Sequence, residues 1–96
     1  MKVHWTRKAV ARLEEIHAYI AKDSPGNADK WAERLLDKAE TLAENPGLGR
    51  KVPEIAASRV RELIFGNYGI LYRVSGEDLF ILTVRHFKQI LPLPGA

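Results

Sequence analysis

Three short runs of β-branched, aromatic and aliphatic residues constrain the fold more than any other part of the chain. They cover residues 60–65, 68–74 and 79–85, and turn formers at 66–67 and 75–78 separate them. Runs of this length and composition, divided by such turns, are typical of consecutive antiparallel strands. We therefore predict a three-stranded meander as the centre of the fold.

A helical hairpin is predicted upstream of the meander. Residues 7–22 and 25–44 carry apolar side chains at the i, i+3, i+4, i+7 spacing of amphipathic helices. Thr6 stands where it can cap the first helix, and Ser24 followed by Pro25 marks the start of the second. Because few residues connect them, the helices should run antiparallel and cover one face of a sheet with their joined apolar stripes.

The complete prediction is one α+β domain over residues 1–96. Residues 2–5 alternate in polarity and should add a strand, which gives an N-terminal strand and an antiparallel helical hairpin packed on a small antiparallel β-sheet. Residues 45–58 are interpreted as a loop with Arg50 and Lys51 at its centre. Residues 86–96 contain two prolines and a glycine and should form a C-terminal arm.

Composition limits the chemistry that the chain can carry. It has no cysteine, and its histidines at 4, 17 and 86 lack the spacing of metal ligands, so we expect no disulfide, no metal and no cofactor. No apolar run approaches the ~20 residues of a membrane span, and residues 1–5 lack the apolar segment of a signal peptide. We expect a cytoplasmic protein without a membrane partner.

Positive charge is concentrated in the predicted sheet. The net charge is +3 and the pI is near 9.4, which suits an acidic partner such as nucleic acid or an acidic protein. From residue 59 onward there are five Lys and Arg against three Asp and Glu, and two of those acids, Glu77 and Asp78, fall in a predicted turn. The strands themselves therefore hold positive charge that few acids balance.

Each strand of the meander carries one arginine, and these three residues are Arg61, Arg73 and Arg85. Because strand side chains alternate between faces, the three need not lie in the core and could line one shared surface, joined by His86 and Lys88. Guanidinium groups on rigid strands suit anions such as phosphate. His86 could act as a general acid or base. The competing interpretations are arginines paired with acids and a structural histidine.

Known catalytic motifs are missing from the sequence. It contains no phosphate-binding glycine loop, no HExxH and no GxSxG, and it has no paired carboxylates on the predicted strands. The residues alone therefore favour a binding surface over an enzyme of a familiar class.

Six segments in a characteristic order point to a family. They are VHWT at 3–6, YI at 19–20, LAENPGLG at 42–49, VREL at 60–63, YGILYRV at 68–74 and VRH at 84–86. In their order and spacing they resemble the RelE/ParE superfamily of toxins from type II toxin–antitoxin pairs, most closely the ParE branch. The resemblance implies a helical hairpin on a small antiparallel sheet and a hetero-oligomer with a cognate antitoxin. Antitoxin contact would fall on the hairpin, with Leu13, Ile20 and Trp31 as candidates, and on the open face of the sheet.

The two branches of that family imply different activities. RelE-like members are ribonucleases that cut messenger RNA on the ribosome, whereas ParE-like members are associated with poisoning DNA gyrase. The strand lysines of the RelE set would fall near Val60 and Glu62, and Gly69 replaces its arginine. The resemblance therefore favours a growth-inhibiting toxin that binds gyrase and is not an enzyme.

One alternative is a ribosome-dependent endoribonuclease, which the Arg-His-Phe run at 85–87 favours although Phe lacks a hydroxyl. A second is an inactive paralogue that only binds an antitoxin.

Overall fold

The chain folds into a five-stranded sheet with a helical hairpin on one face. The computed structural model describes residues 1–52 and 59–87. Its elements in chain order are β1 (Lys2–Trp5), α1 (Arg7–Ala21), α2 (Pro25–Glu40), a 3₁₀ turn (Thr41–Ala43), β2 (Arg50–Lys51), β3 (Val60–Phe65), β4 (Tyr68–Ser75) and β5 (Asp78–His86). The α+β class that the sequence predicts is confirmed.

The strands lie in the order β1-β5-β4-β3-β2. β3, β4 and β5 pair antiparallel as a meander, and the turns between them place Gly66 and Gly76 at φ values of 58° and 62°, which glycine adopts at little cost. β1 pairs in parallel with β5, so the sheet is mixed and not purely antiparallel as expected. The whole helical hairpin lies between β1 and the meander in the chain, which leaves room for the long crossover that parallel pairing requires.

The start of α1 is fixed to β5. The Thr6 hydroxyl oxygen accepts a hydrogen bond from the Ala9 backbone N–H at 3.2 Å, and the same hydroxyl donates to the Ile81 carbonyl oxygen at 2.8 Å. One turn later the Arg12 Nε donates to the Val84 carbonyl oxygen at 3.1 Å. The cap that the sequence predicts therefore also docks the helix along the strand.

The second helix ends earlier than predicted. The prediction extends it to residue 44, but α2 ends at Glu40 and the chain tightens into the 3₁₀ turn. The Thr41 hydroxyl donates to the Lys38 carbonyl oxygen at 2.6 Å, and such local bonds compete with regular helix. At its own C-terminus α1 ends at Ala21, with Lys22 as the cap.

Residues Arg50 and Lys51 form a strand where a loop is predicted. They pair with Glu62 and Arg61 of β3 at the edge of the sheet. A two-residue strand leaves no periodic pattern in a sequence, and it forms here because the loop before it is held by a side chain from β4.

That side chain is Tyr72, which is fully buried. Its hydroxyl accepts a hydrogen bond from the Gly49 N–H at 2.8 Å and donates to the Pro46 carbonyl oxygen at 2.6 Å. A Cβ on Gly49 would lie 2.6 Å from the tyrosine oxygen, so only glycine allows this approach. Arg61 adds a bond from its Nη1 to the Gly49 carbonyl oxygen at 2.7 Å.

The core lies between the hairpin and the sheet. Buried residues of the cluster are Ala9, Ile16, Leu35, Ala39, Leu42, Leu63, Ile70, Tyr72, Leu79, Ile81 and Val84. We call the side of the sheet that carries the last six of these the helix-covered face and the opposite side the outer face. Alternation along the strands then assigns each remaining side chain of the sheet to one of the two faces, with one shift at the β-bulge beside Leu71 and Tyr72, where the paired residue of β5 passes from Thr83 to Ile81.

Neither a membrane-spanning helix nor a metal cluster is found in the described part of the chain. Over residues 1–52 and 59–87, no helix is long and apolar enough to cross a membrane. In the same two ranges, no group of three or more His, Cys, Asp or Glu side chains is arranged to hold a metal ion.

Candidate functional site

The three arginines predicted to share a surface are divided between the two faces of the sheet. Arg61 alternates with Glu62 and therefore lies on the helix-covered face with Leu63, whereas Arg73 and Arg85 lie on the outer face. The expectation that all three line one surface is therefore wrong for Arg61. Its position follows from strand parity, because it shares a side of β3 with a core residue.

Arg50 supplies the third arginine of the outer face. The register pairs Arg50 with Glu62, Arg73 with Val60, and Arg85 with Gly69. Arg73 and Gly69 are four residues apart on β4, so the backbones of Arg73 and Arg85 are separated by roughly 13 Å along the strand direction. The outer face thus presents three arginines spread around Glu62. Arg50 is not among the predicted site residues because the sequence predicts a loop at that position.

Glu62 lies at the centre of this arrangement and its side chain is 0% exposed. Its Oε1 accepts from the Arg50 Nη2 at 2.7 Å and from the Arg85 Nη2 at 3.0 Å, and its Oε2 accepts from the Arg85 Nε at 2.6 Å. Charge-assisted bonds of this kind are strong and directional, and the side-on pair from Arg85 fixes that guanidinium in one plane. One buried carboxylate therefore positions two of the three arginines.

Gly69 provides the space for that carboxylate. A Cβ at residue 69 would lie 2.1 Å from the Glu62 Oε2 and 2.7 Å from its Cδ. A flexible side chain could move away, but this one is held by two guanidinium groups. A side chain at residue 69 and the Glu62 carboxylate in its present position therefore compete for the same space.

Arg73 is the arginine of the outer face that is exposed and lies outside the Glu62 cluster. It lies opposite Phe80, which stacks on the His4 ring with centroids 5.1 Å apart. His4 in turn contacts the Asp78 carboxylate at 2.8 Å and connects β1 to β5. An exposed guanidinium beside an aromatic pair is suited to contact with a partner.

His86 lies on the helix-covered face, away from Arg85. Its ring meets Tyr68 edge-on, with centroids 4.6 Å apart, in a cleft of about 270 Å³ that Arg12, Glu15, Ile16 and Tyr19 also line. Burial raises the pKa of the Tyr68 phenol, the nearby Tyr19 adds to the rise, and Arg12 opposes it. Because consecutive strand residues point to opposite faces, Arg85 and His86 do not converge on one site. Lys88, the fifth predicted member of the basic surface, lies outside the described residues.

The three predicted antitoxin contacts are only partly accessible. Leu13, Ile20 and Trp31 are half-buried and pack against the core cluster. The Trp31 ring also meets Tyr68, with centroids 5.0 Å apart, and its Nε1 is buried and has no hydrogen-bond partner among the described residues. Of the three, Leu13 lines a shallow groove between the helices, together with Glu14, His17 and Ala32.

Helical spacing places two exposed apolar residues in line with this groove, and neither is among the predicted antitoxin contacts. His17 of α1 contacts Asp29 of α2 at 2.8 Å, so these two residues lie level with each other. Two turns away from that contact on each helix, Val10 and Leu36 lie level with each other, and each is 39% exposed. We call Val10, Leu13, Ala32 and Leu36 the hairpin groove.

Comparison with known proteins agrees with this fold over nearly the whole chain. Residues 3–91 match the family model described as the ParE toxin of the type II toxin–antitoxin system parDE. The chain is 42% identical over 93 residues to Y4kP of Sinorhizobium fredii, which is named as a toxin, with 95% of this chain and 93% of that protein covered. It is 38% identical over 90 residues to toxin RelE2 of Caulobacter vibrioides, with 93% and 98% covered.

Two solved structures share the architecture. One belongs to the chromosomal ParDE toxin–antitoxin system of P. aeruginosa, with a TM-score of 0.73, 30% identity, and 90% of this chain and 95% of that chain covered. The other belongs to the RelBE2 toxin–antitoxin complex of Mycobacterium tuberculosis, with a TM-score of 0.65, 22% identity, and 88% and 95% covered, a likeness of fold alone. The chain therefore belongs to the ParE toxin family of type II toxin–antitoxin systems, within the RelE/ParE superfamily.

Proposed function

We propose that this toxin inhibits DNA gyrase by binding it, and that a cognate antitoxin neutralises it. The observation that carries the proposal is the Glu62 carboxylate fixed above Gly69. It occupies the part of the outer face where RelE-like members are expected to have cations. A buried carboxylate bonded to Arg50 and Arg85 gives a rigid, positively charged surface suited to binding.

Residue 69 extends the same argument against RelE-type chemistry. The RelE arginine expected at this position would need a side chain where the Glu62 carboxylate lies. Both departures from the RelE set, at residues 62 and 69, are therefore one structural change. This supports the ParE branch and a toxin that acts without cleaving RNA.

The hairpin groove is the proposed docking site of the antitoxin. Exposed Val10 and Leu36 with half-buried Leu13 and Ala32 form an apolar strip between charged helix faces. An amphipathic helix can place its i, i+3, i+4 and i+7 side chains in such a strip. The ParDE structure that this chain resembles belongs to a toxin–antitoxin system, which supports a partner of this kind.

A ribosome-dependent endoribonuclease is the second candidate, and one cluster favours it. His86, Tyr68 and Arg12 share the cleft beside α1, and these residue types serve acid–base chemistry and phosphate binding. Two curated relatives also carry the name RelE. If the chain cleaves RNA, His86 is the residue expected to act as acid or base.

Two assays run in parallel distinguish the candidates. Purified toxin is added to a gyrase supercoiling reaction and to ribosomes engaged on messenger RNA, and each reaction is repeated with His86→Ala. His17→Ala is the matched control, because it removes another partly exposed imidazole outside the cleft. The proposal predicts inhibition of supercoiling by all three proteins and no cleavage. Cleavage that His86→Ala abolishes and His17→Ala retains would reverse the assignment. Antitoxin binding without either activity would identify an inactive paralogue.

A further inference from the structure

A second positive cluster lies at the β2 edge of the sheet, apart from the arginines of the outer face. Lys51, Arg59, Val60 and Arg61 line a concave notch of about 210 Å³. Lys51 pairs with Arg61 across the strands and lies on the same face, while Arg59 directly precedes β3. We call these residues the basic notch. Arg61 lies here and not on the outer face with Arg73 and Arg85.

The pairing of Lys51 with Arg61 is unfavourable for the fold on its own. Like charges directly opposite each other in an antiparallel pair are destabilising, and Arg59 adds a third cation within two residues of Arg61. Among the described residues, the acid nearest to Arg61 in sequence is Glu62, and its carboxylate is bonded to Arg50 and Arg85 on the other face. In the part of the chain that the structure describes, this like-charge pairing breaks a local rule of sheet stability, and such exceptions are expected at functional sites.

The basic notch is also partly preorganised to bind an anion. Arg61 is held by its bond to the Gly49 carbonyl oxygen at 2.7 Å, so one guanidinium is already oriented. Lys51 and Arg59 are exposed at the rim. A ligand anion would therefore meet one fixed and two adjustable cations, which lowers the ordering cost of binding.

We propose that the basic notch binds the phosphate backbone of double-stranded nucleic acid without regard to sequence. An acidic protein would need an apolar anchor at the centre of its contact, and the notch offers one valine among three cations. Single strands are held largely by aromatic stacking, and none of the described residues that line the notch is aromatic. Phosphate contacts to a duplex need only positioned cations. This activity is separate from gyrase inhibition and does not depend on it.

Fluorescence anisotropy with a labelled DNA duplex tests the proposal in the absence of gyrase. The full-length toxin and a Lys51→Gln/Arg59→Gln variant are titrated at several salt concentrations. Arg61 is left in place because it supports Gly49. The matched control is Lys30→Gln/Arg34→Gln, which removes the same charge from exposed positions on α2. Circular dichroism confirms that both variants fold.

The expected result is weaker duplex binding by the notch variant on every sequence tested. The plot of log affinity against log salt should become shallower, with the magnitude of its slope reduced by about two, one for each cation removed from the phosphate contacts. The control should keep the slope of the parent protein. Equal losses of affinity in both variants would mean a net-charge effect and would overturn the proposal, as would no duplex binding by the parent. A poly-glutamate chain that binds through the notch when DNA does not would assign the notch to an acidic protein.

Discussion

Glu62 is the residue on which the outer face depends. Its buried carboxylate accepts three hydrogen bonds from two arginines, of which Arg85 is partly exposed and Arg50 is exposed. Removing one partner from a buried ion cluster leaves the others desolvated and costs about 3–5 kcal/mol. We expect Glu62→Gln to lower the free energy of unfolding in urea by about 3 kcal/mol, the lower end of that range, because Arg50 reaches solvent. A loss within the roughly 0.5 kcal/mol typical of surface substitutions would contradict this account.

The loss of stability caused by a side chain at residue 69 is predicted to depend on Glu62. Gly69→Ala should destabilise the protein because the new Cβ would meet the fixed carboxylate, and the cost should shrink when Glu62→Ala has already removed that group. The coupling measured in the double-mutant cycle should be about 1–3 kcal/mol. Gly26→Ala is the control, because nothing lies within 4 Å of a Cβ there and helical alanine is favoured over glycine. Purely additive losses would show that the two residues do not compete for space.

At the scale of elements, β2 depends on Tyr72. Its hydroxyl holds the loop that places Arg50 on the outer face and Lys51 in the basic notch. Tyr72→Phe leaves the buried Gly49 N–H and the Pro46 carbonyl without that partner, a loss of about 1–3 kcal/mol. Hydrogen exchange should show faster exchange at Gly49 and in β2, with β4 and β5 less affected. Tyr19→Phe is the control, since Tyr19 is 68% exposed. Unchanged exchange at Gly49 would remove the tyrosine from this role.

The same tyrosine should make stability depend on alkaline pH. Burial raises the pKa of Tyr72 above its ordinary value, although the Gly49 N–H and Arg61 partly oppose the rise. The folded protein therefore holds this proton more tightly than the unfolded chain does, so stability falls as the pH rises through the ordinary tyrosine range near 10. Urea unfolding at increasing pH should show a shallower fall in Tyr72→Phe than in the parent. Parallel pH profiles would contradict the assignment.

The helical hairpin carries the prediction for antitoxin binding. Leu36→Glu puts a charge into the hairpin groove, where an apolar anchor of the antitoxin is proposed to lie, and should weaken the complex by roughly tenfold or more. Leu48→Glu is the control, because Leu48 is an exposed leucine in the loop before β2. Isothermal titration with the cognate antitoxin measures both variants. Equal affinity for Leu36→Glu and the parent would exclude this groove as the docking site.

For the whole molecule, the family was predicted from the resemblance of six short segments, and periodic patterns were enough to predict the helices and the meander. They extend over many residues of continuous chain, and each is a local property. The site could not be predicted in the same way. β2 is two residues long, the Arg85 carboxylate partner is 23 residues away in sequence, and the ring beside His86 comes from another strand. The alternation of side chains along β3 and β4 puts Arg61 and Arg73 on opposite faces, but only when the register between the two strands is known.

The central claim is that the outer face acts by binding gyrase, and direct binding tests it most closely. Gyrase affinity should be measured by interferometry for the parent toxin, for Arg73→Glu, and for Arg34→Glu on the exposed face of α2 as the charge-matched control. The reversed charge in Arg73→Glu should weaken gyrase binding by about tenfold or more, whereas the control should bind like the parent. Equal affinity for all three proteins, or no gyrase binding by the parent, would contradict the account.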